Sequence, residues 1–136
     1  MLKLCTLLFL CVACSSSKTQ PQKNSRNIEG KWQLIEFRGT AIKSSNFHLA
    51  LNIQANKNLY FKGICNEIVG KWENNQTLQI SFNNLAITEE VCDTVHYDQS
   101  IYEMFTQINN FAILNDTLSL NKFKMAPQSK WIKIVE

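Results

Sequence analysis

The 136-residue chain has no apolar run long enough to cross a bilayer as a helix. The stretch Leu4–Val12 covers nine residues where about 20 are needed, and no second long run follows it. Clusters of Lys and Arg interleaved with aromatics are missing too, which argues against a nucleic-acid partner. Beyond the N-terminal Cys11-Val12-Ala13-Cys14 no C-x-x-C and no H-x-x-x-H pair occurs, so the part of the chain that can fold lacks the short ligand spacings that make a zinc site specific. Internal repeats and strand–helix alternation are also lacking, which disfavours a doubly wound nucleotide-binding sheet.

The start of the chain carries the plainest signal. Lys3, the short apolar run and the small residue Ala13 directly before Cys14 form the pattern of a bacterial export signal ending in a lipid-attachment cysteine. Cys11 is the weaker candidate, because bulky Leu10 precedes it where a small residue is wanted. The expected organisation is a signal peptide over residues 1–13, a lipidated flexible tether over 14–27 beginning Cys14-Ser15-Ser16-Ser17, and one folded domain over 28–136. The expected address is the cell envelope, with the lipid on Cys14 as membrane handle and the outer membrane, facing the periplasm, as destination. Two or three acyl chains hold stably, whereas one holds reversibly. After cleavage the charge is thirteen basic against eleven acidic residues, or +2.

The chain has five cysteines. Cys5 and Cys11 leave with the signal and Cys14 takes lipid, so Cys65 and Cys92 remain as a pair. In an exported chain an even remainder points to a disulfide.

From Ile28 onward the pattern is mostly strand. Trp32, Leu34 and Glu36 alternate with Gln33, Ile35 and Phe37, and Leu49, Leu51 and Ile53 repeat the period of two. Turns are expected at Asn56-Lys57-Asn58, Asn74-Asn75 and Asn115-Asp116, since Asn tolerates positive φ. One helix is expected over Val95–Ile108, with Tyr97, Ile101, Met104, Phe105 and Ile108 as its apolar stripe and Asp93 or Thr94 as its cap. The result is an α+β fold: about seven antiparallel strands closed by one helix against the apolar face of the sheet.

Three segments carry a family resemblance. Gly63-Ile64-Cys65-Asn66, then Thr88-Glu89-Glu90-Val91-Cys92 ahead of the helix, then Ile113-Leu114-Asn115-Asp116-Thr117-Leu118-Ser119-Leu120 resemble, in order, the signature segments of the META domain, also called HslJ-like. Gly30-Lys31-Trp32-Gln33-Leu34 is similar to that family's first strand. The resemblance spans about residues 28–134 and implies a strongly curved antiparallel sheet packed on one helix, in envelope proteins that are often lipoproteins. It singles out Gly63, Asn66 and Thr88 as motif residues. Two departures stand out: Glu67-Ile68-Val69 follows Asn66 where the family has more glycine, and only Asp98 or Glu103 stands in for an acid expected after the second cysteine. Members are linked to heat shock, motility or novobiocin resistance without a shared reaction, so the resemblance supplies a fold more than an activity.

Several groups have residue types suited to chemistry. Cys92 and His96, four apart at the helix start, have the types and spacing of a thiolate nucleophile with a base, and a helix N-terminus lowers a thiol pKa. A disulfide at Cys92 removes that nucleophile. Cys65, Cys92, Asp93 and His96 would be an acceptable zinc set at an unspecific spacing. His48 is expected to be exposed, opposite Leu49 and Leu51, and Glu89-Glu90 to be a solvated pair. Asn66 is expected to hold a turn, with a groove shared with Tyr60 and Trp72 as the alternative. The expectation is therefore a non-enzymatic envelope lipoprotein with no catalytic residues, metal or cofactor. Its domain binds an envelope protein or small ligand and supports envelope integrity or stress tolerance. The alternative is a thiol-dependent enzyme using Cys92 and His96.

Overall fold

A computed structural model describes residues 27–43, 48–75, 78–92 and 96–135, position 96 by its backbone alone. The signal segment, Cys14, all of the tether before Asn27 and the expected caps Asp93 and Thr94 lie outside the described residues, as does the His96 side chain.

Nine strands and one helix are described. The strands are β1 (Gly30–Phe37), β2 (Thr40–Ala41), β3 (Ala50–Ile53), β4 (Asn58–Lys62), β5 (Glu67–Asn74), β6 (Ile80–Ile87), β7 (Asn110–Leu114), β8 (Thr117–Asn121) and β9 (Ser129–Lys133), and α1 (His96–Phe105) lies between β6 and β7. They form a single antiparallel sheet in the order β6-β5-β4-β3-β1-β9-β8-β7, with β2 paired to β1 off that path. The expected class, a strongly curved antiparallel sheet packed on one helix, is what the chain adopts, with two strands more than the expected seven. The helix is shorter at its end than expected. It stops at Phe105, and Ile108 is still buried beyond it because its amide donates to Met104 through one more turn.

Two β-bulges bend the sheet. In β1 the register against β9 skips Ile35, so Trp32, Leu34 and Phe37 all face inward and the simple alternation breaks before Phe37. In β6 the register against β5 skips a residue at Asn84, whose φ is 51°. Gly70 lies opposite, where a Cβ would come within 3.0 Å of the Asn83 carbonyl oxygen. The curled sheet brings its two edges together at one point: Gln79 bridges Asn110, the Phe111 amide donates to Leu78 and the Ile80 amide to Asn109. Beyond that bridge β6 and β7 diverge, and α1 covers the inner face, with the Tyr102 hydroxyl donating to the Leu85 carbonyl at 3.4 Å.

Inside the curl an aromatic cluster dominates. Phe105 from the helix meets Phe61, Phe82 and Trp131 with ring centroids 5.7, 5.2 and 6.3 Å away, in the edge and stacked arrangements that ring quadrupoles favour. Each tryptophan N–H is satisfied: Trp32 donates to the Ile28 carbonyl, Trp72 to that of Gln54 and Trp131 to the Ser129 hydroxyl. These bonds let three large indoles be buried without an orphaned donor. Among the described residues the buried core runs from Ile28 to Trp131.

The turns follow local chemistry with one change of residue. Arg38 and Gly39 both take positive φ in the two-residue β1–β2 hairpin, which matches the strand twist, and Asn115 does so between β7 and β8. In the turn after β3 the left-handed residue is Lys57, with φ 68°. Asn56 contributes through its side chain instead, accepting from the Asn58 amide.

Candidate functional site

The motif residues converge at the start of α1. There Asp98, only 1% exposed, reaches back across the end of β4 to the connection between β4 and β5. Its Oδ1 accepts from the Ile64 amide at 2.9 Å, and its Oδ2 accepts from the amides of Cys65 and Asn66 at 2.9 and 2.8 Å. Three consecutive amides left over from the sheet ladder are thus taken by one carboxylate. Charge-assisted bonds of this kind are about twice as strong as neutral ones.

Gly63 makes this approach possible. A Cβ there would overlap the Asp98 carboxylate and sit 2.6 Å from the Asn66 carbonyl oxygen, to which the Gly63 amide itself donates. Asn66 faces the other way and is buried. Its Oδ1 accepts from the Thr88 hydroxyl at 3.0 Å and the Glu90 amide at 2.8 Å, and the Thr88 hydroxyl accepts in turn from the Glu67 amide. Cys65 and Cys92 close the arrangement as a disulfide with Cα atoms 6.3 Å apart. Two loops and the helix start are therefore held by one covalent and several polar links.

Gly63, Cys65, Asn66, Thr88 and Cys92, all singled out in the sequence, are brought together by the fold. Asp98, which completes them, is in the sequence only a loose match to the family's acid, and the expected apolar stripe of the helix includes its neighbour Tyr97 instead. Tyr97 is instead exposed and edges against Phe37, with ring centroids 6.2 Å apart. Positions 97 and 98 both lie on the side of the helix shared with Ile101, and the three unpaired amides at 64–66 draw in the acid. Asn66, Tyr60 and Trp72 do not share a groove. Trp72 is buried in the core with the Lys57 ammonium 3.6 Å from its ring centroid, and Tyr60 points outward to donate to Glu67 at 2.7 Å. His48, Glu89 and Glu90 are exposed.

With its sulfur in the disulfide, Cys92 carries no thiolate, and neither it nor Cys65 is free to bind a metal. Among the described residues no group of three His, Cys, Asp or Glu is placed to hold a metal ion. The Tyr60 pKa is raised because its hydroxyl donates to the Glu67 carboxylate, with burial and the nearby charge adding in the same direction.

Matching the chain to known families places residues 26–131 on the META domain. The chain belongs to the META domain family. Two solved structures share its META fold. A protein solved by NMR has 16% identity and a TM-score of 0.61, the match covering 77% of this chain and 89% of that one. The crystal structure of a DUF4847 family protein from Bacteroides vulgatus has 11% identity and a TM-score of 0.54, covering 76% of this chain and 89% of that one. At these identities the likeness is of fold alone. No curated protein matches this META chain.

Proposed function

We propose that this META domain protein is a lipid-anchored component of the bacterial cell envelope. Its folded part acts as a non-enzymatic binding or structural module supporting envelope integrity or stress tolerance. The carrying observation is the Ala13-Cys14 junction after a short apolar run. The architecture behind it supports the reading, because the signature residues Gly63, Cys65, Asn66, Thr88 and Cys92 spend their polar and sulfur groups on holding loops to one another. Serine after Cys14 favours delivery to the outer membrane, with the domain in the periplasm. The partner is an envelope protein or a small envelope ligand.

The anchoring test is incorporation of radiolabelled palmitate. Cys14→Ser should abolish labelling and leave the protein uncleaved or released, whereas Cys11→Ser should leave it labelled. The functional test is a deletion strain, which should be sensitive to detergent, heat or a hydrophobic antibiotic. A His96→Ala protein should restore the wild-type response, and failure of that folded variant would count against a non-enzymatic role.

A further inference from the structure

One feature of the fold is not explained by packing. Phe123, in the β8–β9 connection, has φ 53° and is 66% exposed. A bulky side chain in the left-handed region is an outlier that costs conformational energy, and here no burial offsets it. The backbone is clamped in that state from both sides. The Phe123 amide donates to Asn109 Oδ1, and its carbonyl accepts from Asn110 Nδ2, both at 2.7 Å. Asparagine or glycine would hold the same conformation at less cost.

The neighbours of Phe123 give the exposed ring a context. Met125 is 59% exposed and Leu78 is 49% exposed, and the three side chains line one open groove of about 840 Å³ where the sheet edges meet. The sequence across the tip, Lys122-Phe123-Lys124-Met125, alternates cations with apolar groups. Lys124 and one acid, Glu73, line the groove, and Lys122 lies beside it in the same loop with its ammonium donating to the neutral Gln107 Oε1 at 2.8 Å. Apolar tips between lysines suit an interface in which hydrocarbon lies beneath phosphate.

We infer that the Lys122–Met125 loop, with Leu78, docks on an anionic lipid surface as a second membrane contact beside the anchor. The site takes its membrane from the envelope-tether reading, and the geometry allows both contacts at once. The pairings Leu120 with Ser129 and Phe37 with Ser129 put the loop at the C-terminal end of β1, while the tether joins at the N-terminal end. Eight residues of β1 separate those ends by about 26 Å. The fourteen residues 14–27 reach up to about 45 Å when extended, enough to run past the domain to the same bilayer. Held there, even a weak contact acts at high effective concentration.

The test uses the unlipidated mature chain, residues 14–136 with Cys14→Ser, which contains the whole core. It is sedimented with vesicles of phosphatidylethanolamine and phosphatidylglycerol, and separately with phosphatidylcholine vesicles. Binding should be seen with the anionic vesicles, weaken with salt and be lower on phosphatidylcholine. Phe123→Asn should reduce it about ten-fold or more while leaving the melting temperature unchanged or higher. Lys122→Gln and Lys124→Gln should each reduce it about five-fold. Met125→Ser provides a second apolar variant should Phe123→Asn fail to fold.

No binding of the wild-type chain to anionic vesicles overturns the inference, as does undiminished binding by folded Phe123→Asn or Met125→Ser. Saturable binding of a glycan or peptide in the groove without vesicle binding also overturns it, in favour of that ligand. Because this chain carries no lipid, none of these outcomes depends on modification of Cys14, which palmitate labelling reads separately.

Discussion

The carboxylate of Asp98 occupies the space in front of Gly63 that a side chain at that position would need. Helix and loop are fitted to each other at that point: the acid requires the glycine, and the unpaired amides at 64–66 require the acid. Asp98→Asn offers one acceptor and one donor to three donors, and should lower the free energy of unfolding by about 3 kcal/mol in denaturant titration. Gly63→Ala should cost about 2 kcal/mol or more by the same measurement, since the overlap involves backbone as well as side-chain atoms.

Asn66 should matter more than its partner Thr88. Removing the Asn66 side chain strands the Glu90 amide and the Thr88 hydroxyl together, so Asn66→Ala is expected to destabilise by about 2 kcal/mol and Thr88→Val by about 1 kcal/mol. A double-mutant cycle between them should give a coupling of about 0.5 kcal/mol or more, and strict additivity would mean that the bond contributes nothing.

The Cys65–Cys92 bond closes a loop with a sequence separation of 27. On the chain-entropy estimate its loss costs about 3.5 kcal/mol. Replacing both cysteines with Ala should lower the unfolding midpoint by a corresponding amount and leave the far-ultraviolet circular dichroism unchanged. Thiol titration of the denatured mature chain with Cys14→Ser should find no thiol before reduction and two after it.

Tyr60 gives a pH signature. Its pKa is raised from 10.0 because its hydroxyl donates to Glu67, so the folded state favours the protonated phenol. A group raised on folding stabilises fully below its unfolded pKa. That stabilisation fades as pH climbs through the raised value. Tyrosinate absorbance of the folded protein should contain one component titrating above the ordinary range, and Glu67→Gln should lower it toward 10.0.

The periodicity of two and the Asn-rich turns made the strands legible because both are local: alternation reports one buried face, and a hairpin turn is decided by a few residues' φ values. The same reasoning failed wherever a non-local demand intervened. The bulge at Ile35 turns Phe37 inward although the written alternation puts it outside, because pairing with β9 skips a residue there. Lys57 takes the left-handed turn position because Asn56 is used as a side-chain acceptor. In the helix, hydrophobicity favours Tyr97 as the inward residue, yet Asp98 is buried by the donors that the β4–β5 connection presents to it.

What the sequence by itself determined is the α+β class, the hairpins, the late helix, the pairing of Cys65 with Cys92 and membership in the META domain family, since these rest on local pattern and on residue types in order. Only the tertiary structure decided the strand order with β1 between β3 and β9, the inward turn of Asp98 and the exposed, left-handed Phe123. The strand order is set by pairing between distant segments, and the other two by which backbone donors and acceptors that pairing leaves over, so all three are properties of the closed sheet rather than of any short stretch of chain.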